Sequence, residues 1–153
     1  MTDSAHSARQ YAFKLLGYRG RSENELRERL SRKGFPKAVV SSTISYLKRA
    51  GYLDDKALAV SLKRQAYKQR LLGHYGARKF LMKRGISKTV IDATLDYDES
   101  CDMKNAKTLL EKKVAHLDNN ITESDRKRLW NFLVRRGYSL GVIRSVFRDC
   151  NLQ

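Results

Sequence analysis

Apolar residues recur along this chain at intervals of three and four, as in Ala12, Leu15 and Leu16 and again in Leu26 and Leu30. Long alternating β-branched runs are absent, and proline occurs once, at Pro36. This spacing predicts amphipathic helices and no sheet. The pattern also repeats. Leu30-Ser31-Arg32-Lys33-Gly34-Phe35 returns as Leu81-Met82-Lys83-Arg84-Gly85-Ile86 and once more as Leu133-Val134-Arg135-Arg136-Gly137-Tyr138. Beyond each glycine the apolar positions stay in register: Val39, Val40 and Ile44; Val90, Ile91 and Leu95; Val142, Ile143 and Phe147.

The repeat has a mechanical meaning. A glycine just past a helix takes the left-handed conformation without a Cβ penalty, and two bases in the last turn complement the helix dipole. Pro36, Ser87 and Ser139 then stand where the next helix begins. Ser22 and Glu25 read as a capping box opening the helix that Gly34 closes. A further helix precedes each pair, over about Ala8 to Arg19, Asp55 to Leu71 with Asp54 as N-cap, and Asp102 to Leu117. The expectation is an all-α, elongated array of three tandem three-helix, helix-turn-helix-like repeats at residues 8–53, 54–98 and 99–153. Residues 1–7 read as a flexible N-terminus. Gly73-His74-Tyr75-Gly76 and Asn119-Asn120-Ile121-Thr122 read as loops.

Charge adds the next constraint. The 153 residues hold 32 Lys and Arg against 16 Asp and Glu, for a net charge of +16. The three repeats carry +7 (with residues 1–7), +6 and +3, counting Asp98 with the third, so the excess lies in the body of the chain. A charge of this size opposes compaction and suits a polyanionic partner. No apolar stretch is long enough to span a membrane, and Met1-Thr2-Asp3-Ser4 does not open a secretory leader. Cys101 and Cys150 cannot make a disulfide framework, and neither belongs to a CxxC pair. A cytoplasmic protein with reduced thiols is expected.

Gly51-Tyr52-Leu53-Asp54-Asp55, together with the three Leu-x-base-base-Gly turns, resembles the RecX family. So do Ser22-Glu23-Asn24-Glu25-Leu26-Arg27 and Arg84-Gly85-Ile86-Ser87. The likeness runs over about residues 8–150. Two positions depart from it: His74 follows Gly73 where the family often has proline, and Ala77 stands where an aliphatic residue is usual. The resemblance implies Gly34, Gly85, Gly137 and the Gly51–Asp55 run as structural motif residues. It implies a curved fold of three helical repeats and a non-enzymatic regulator of the RecA recombinase. Such a regulator binds the RecA–DNA filament and inhibits its ATPase, strand exchange and growth, in recombination, DNA repair and the SOS response. A monomer is expected. A non-specific DNA-binding architectural protein or repressor is the alternative that charge and modular helices alone would support.

Candidate contacts with polyanion or filament are the paired bases Arg32-Lys33, Lys83-Arg84 and Arg135-Arg136. Dipole complementation and solubility are their structural alternative. A second set is Lys63, Arg64, Lys68 and Arg70, followed by Arg78 and Lys79, with Tyr67 among them as a possible stacking platform. A solvated helix face is the alternative there. The third helices, beginning Pro36-Lys37-Ala38 and Ser87-Lys88-Thr89, carry no Arg, Asn or Gln cluster for base edges. Binding to single- or double-stranded DNA is therefore expected to be non-specific and steeply salt-dependent.

Asp54 and Asp55 raise the question of metal-assisted phosphodiester chemistry, but a helix cap and first-turn acid account for them. The acidic run Asp96, Asp98, Glu99 and Asp102 reads as a linker with a cap. Tyr52 and Leu53 read as packing between repeats, and Trp130 reads as core with a partner anchor as its alternative. His6, His74 and His116 share no ligand spacing with the cysteines. No catalytic residue, metal site or cofactor is expected.

Overall fold

The computed structural model describes residues 2–152. Among them are nine α-helices and no strand: α1 (Thr2–Tyr18), α2 (Glu23–Lys33), α3 (Lys37–Arg49), α4 (Asp55–Arg64), α5 (His74–Lys83), α6 (Lys88–Thr94), α7 (Glu99–Val114), α8 (Glu123–Arg135) and α9 (Leu140–Asp149). The chain forms two compact units. Unit 1 runs to Ser61 and includes Leu81–Thr94; unit 2 comprises Leu62–Phe80 and residues from Leu95 onward. Residues of the middle repeat belong to both.

In unit 1 the predicted stripes meet as a core. Ala8, Ala12 and Leu15 of α1, Leu26 and Leu30 of α2, and Val40, Ile44 and Leu47 of α3 are buried together with Leu53. Ser22 caps α2 by accepting from the Glu25 N–H at 3.1 Å, and Gly34 closes it at φ +100°. Pro36 is the N-cap of α3. The first helix starts at Thr2, earlier than the apolar stripe at Ala8 suggests, so the described part of the expected flexible N-terminus is helical. Residues before Ala8 bury little, and an acid in the first turn, Asp3, favours the helix end.

In unit 2, α7 and α9 pack closely. Ala106, Leu109 and Leu110 are buried with Leu129 and Leu133 of α8 and with Val142, Ile143, Val146 and Phe147 of α9. Trp130 lies edge-on to Phe147 at 5.4 Å, in line with the core reading. Asp98 caps α7, accepting from Cys101 N–H at 3.1 Å, which starts this helix at Glu99, ahead of the expected Asp102. The complete capping box of the chain's described part is at Thr122 and Asp125, opening α8. Past Arg64 the fourth helix continues as a π turn, Gln65–Gln69, and ends with Leu71 in the left-handed region at φ +49°. That conformation costs a non-glycine residue about 1–2 kcal/mol. The Leu71 carbonyl accepts from the Tyr138 hydroxyl, which helps hold it there.

One joint occurs in each unit, built from equivalent residues. In unit 1 the Glu23 N–H at the start of α2 donates to Asp55 Oδ1 at 3.0 Å. Asn24 Nδ2 donates to the Gly85 carbonyl at 3.0 Å, and Arg84 Nη2 to the Gly20 carbonyl at 2.7 Å. In unit 2 the His74 N–H at the start of α5 donates to Asp102 Oδ2 at 3.0 Å. Gly73 N–H donates to the Arg136 carbonyl at 2.9 Å, and Tyr75 N–H to the Gly137 carbonyl at 3.2 Å. The second helices α2 and α5 thus each have an N-terminal donor met by the following repeat. The Gly73–Gly76 segment is the opening of α5, with His74 only 9 % exposed, and so is more ordered than a loop. A proline at position 74 has no N–H to give Asp102, and Ala77 is fully buried, so both departures from the family pattern fit this joint.

Backbone approach in unit 2 admits no side chain. A Cβ on Gly137, at φ +86°, would lie 1.9 Å from the Gly76 nitrogen. Gly137→Ala should therefore destabilise by at least about 3 kcal/mol, combining the left-handed penalty with forced separation of backbones. Gly34→Ala, in open space at φ +100°, should cost about 1 kcal/mol. Urea unfolding of both variants measures the contrast, and equal losses would contradict the close approach.

Asp102 provides a pH test of the same joint. It is 1 % exposed, and burial holds its carboxyl above the usual range. The folded chain therefore keeps a proton that the unfolded chain releases. This contribution to stability is complete below the unfolded value near 3.8 and is lost as pH rises through the higher folded value. Asp102→Asn should remove that part of the pH dependence while still accepting from His74 N–H. Asp102→Ala should cost about 1–3 kcal/mol by orphaning the donor. Unfolding curves at a series of pH values check both.

Candidate polyanion interface

The base pairs that end the second helices divide into two roles. Arg32, Lys83 and Arg135, the first of each pair, are exposed. Arg32 pairs with Glu28 one turn earlier, a surface bridge worth a few tenths of a kcal/mol. Lys33 is also exposed, its ammonium 5.5 Å from the Tyr11 ring centroid.

Arg84 and Arg136 differ. The Arg84 guanidinium donates to Glu25 Oε1 at 2.7 Å and to the Gly20 carbonyl, with only 18 % of its side chain exposed. Glu25 also faces Arg19 at 3.3 Å and Arg21 at 4.0 Å. Its carboxylate is therefore drawn into a cluster of guanidinium groups in place of the Ser22 N–H, so the capping box read at Ser22 and Glu25 is made on the serine side alone. Arg136 donates to the Arg70 carbonyl and stands 5.6 Å from the Phe132 centroid. These two arginines hold joints together.

The second candidate set lies in unit 2. Arg64, Lys68 and Arg70 are exposed, and Arg70 stacks over Phe80 at 4.5 Å. Lys63 is half-buried and lines a cleft of about 260 Å³ with Asp96, Asp98 and Cys101. Arg78 is half-buried as well. Tyr67 is half-buried with its hydroxyl 3.5 Å from His74 Nδ1, and its carbonyl accepts from Asn105. Burial, with Asp102 nearby, pushes its phenol up to about 12, so the ring serves as neutral packing in this cluster. Burial likewise lowers His74 and raises Cys101. The contacts of His74, Asp102, Asn105 and Tyr138 have no local sequence signal beyond the acidic run around Asp102, because their partners are remote in the chain.

Asp54 and Asp55 serve two helices. Asp54 Oδ1 accepts from the Ala57 N–H at 3.1 Å, capping its own helix, while Asp55 caps α2. Burial raises the Asp55 carboxyl. Among the described residues no three His, Cys, Asp or Glu side chains gather as a metal site. No described helix is long and apolar enough to cross a membrane. Leu53 is buried, but Tyr52 is 55 % exposed and packs edge-on against Phe13 at 4.9 Å within unit 1, not as buried filling between repeats. Gly51 allows the turn before it at φ +82°.

Comparison with known proteins places this architecture. The family descriptions "RecX, first three-helix domain" and "RecX, third three-helix domain" match residues 8–47 and 101–147. A regulatory protein RecX of Pelodictyon phaeoclathratiforme is 36 % identical over 151 residues, covering 97 % of this chain and 92 % of that protein. The chain belongs to the RecX family. A regulatory protein RecX of Clostridium botulinum is 31 % identical, over 96 % of this chain and 70 % of its own length. The crystal structure of RecX from Lactobacillus salivarius superposes with a TM-score of 0.82 at 20 % identity, over the whole of both chains. A second RecX crystal structure gives 0.80 at 23 % identity, over 97 % of this chain and 73 % of that one. Both carry the RecX fold of helical repeats.

The split among the bases predicts unequal mutants. Arg84→Ala should destabilise by about 1–3 kcal/mol, because it strips partners from Glu25 and the Gly20 carbonyl. Arg32→Ala and Lys83→Ala should stay within about 0.5 kcal/mol of the parent. Denaturant titrations distinguish them, and a silent Arg84→Ala would contradict its structural role.

Proposed function

We propose that this chain is a regulator that binds the RecA–DNA filament and inhibits its ATP hydrolysis, strand exchange and growth, with no catalysis of its own. The observation that carries the reading is likeness over nearly the full chain to regulatory protein RecX, at 36 % identity. The charge fits it. Arg32, Lys33 and Lys83 in unit 1, and Arg64, Lys68, Arg70 and Arg135 in unit 2, are exposed bases suited to a phosphate backbone or an acidic protein surface. The acting form in this reading is a cytoplasmic monomer.

Net charge of +16 also favours plain DNA binding, and one experiment separates the two. Single-stranded-DNA-dependent ATP hydrolysis by the cognate recombinase is titrated with this protein, at salt that abolishes its binding to free DNA. Filament regulation predicts inhibition below one molecule per recombinase. No inhibition under that condition would leave a non-specific DNA binder with the RecX fold.

A further inference from the structure

The third repeat carries a groove of whose cations only Arg135 is among the candidate polyanion contacts. It lies within unit 2, has a volume of about 300 Å³, and runs along the surface between α7 and α8. Its apolar lining comes from Leu117, Leu129 and Phe132, and its cations are Lys113, Arg128 and Arg135. Among the described residues no carboxylate stands within ion-pair distance of those three cations. The one acid on the wall, Asp125, is engaged with the Thr122 N–H at 3.0 Å and the Thr122 hydroxyl at 2.7 Å, as half of the α8 capping box, and of the groove cations only Arg128 acts on its charge. Three positive charges therefore surround an apolar lining with a single, internally committed negative charge.

The shape of this chemistry selects its ligand. Phe132 is already engaged by Lys113 at 4.5 Å and by Arg136 at 5.6 Å from its centroid, so the ring is poorly placed to stack a nucleobase. The remaining lining, Leu117 and Leu129, is aliphatic and suits a side chain. A cavity of this volume holds one large side chain and leaves the cations at its edge for flanking carboxylates. We infer that this groove docks an acidic peptide segment bearing one large apolar residue. This goes beyond the recombinase reading and stands or falls independently of it.

The probe is a fluorescein-labelled peptide of aspartates flanking one central phenylalanine, titrated by anisotropy against the full chain. Its counterpart has alanine at the centre, and a single-stranded oligonucleotide of equal charge is the third probe. The phenylalanine peptide should bind about tenfold tighter than the alanine peptide, a difference set by burial of the ring. The double variant Arg128→Ala, Arg135→Ala should weaken the phenylalanine peptide about tenfold, while Lys37→Ala, Lys88→Ala leaves it unchanged. Both variants alter exposed side chains, and circular dichroism verifies that they fold. Equal binding of the two peptides, or parent-like binding by the groove variant, overturns the inference. So does an oligonucleotide that binds as tightly as the phenylalanine peptide and loses the same affinity in the groove variant, since that makes the groove a nucleic-acid site.

Discussion

A helix begins with N–H groups that its own backbone cannot satisfy, and this architecture meets that need from the next repeat along the chain. Asp55 receives the Glu23 N–H, and Asp102 receives the His74 N–H. Around each acid a base-glycine turn approaches the same helix end, Arg84-Gly85 in one unit and Arg136-Gly137 in the other. Each acid loses solvent in reaching its donor, Asp102 almost wholly and Asp55 in part, which raises its carboxyl. Gly137 must lack a Cβ, or the backbones could not meet, and a Cβ on Gly85 would strike the capping Ser22 Oγ at 2.5 Å. A three-helix module of some 45 residues has a small core. Receiving a cap from its neighbour ties a module's order to the repeat that follows.

This arrangement also sorts the positive charge. Arginine offers a planar fork of donors and so suits a carbonyl-and-carboxylate pocket, which is where Arg84 is found. Arg136 likewise reaches the carbonyl of Arg70. The neighbouring base in each turn has no such receptor and stays in solvent. A chain with an excess of sixteen positive charges thus commits only part of them to its own architecture. The rest remain available to a polyanion at modest cost in self-repulsion.

Much of this was legible in the sequence. The repeated Leu-x-base-base-Gly turns, the serine and proline starts, and the apolar register specified three-helix repeats, because each follows from local backbone physics. What could not be read was long-range. Glu25 has the spacing of a capping-box partner, yet three arginines compete for it, all of them outside its helix, at positions 19, 21 and 84. Asp102 looked like one more linker acid because its donor lies 28 residues earlier. Tyr67, set among lysines and arginines, suggested stacking, but the π turn and the His74 cluster draw it inward. The Lys113, Arg128 and Arg135 groove joins residues from two helices and had no local signature at all.

Native-state amide hydrogen exchange tests most directly whether a following repeat completes the helix before it. The His74 N–H, held by Asp102, should exchange with the same free energy and denaturant dependence as the core amides of Leu133 and Val146. That coincidence would show that the start of α5 opens only when the third repeat opens. A His74 amide that exchanges freely while Leu133 and Val146 stay protected would contradict the account.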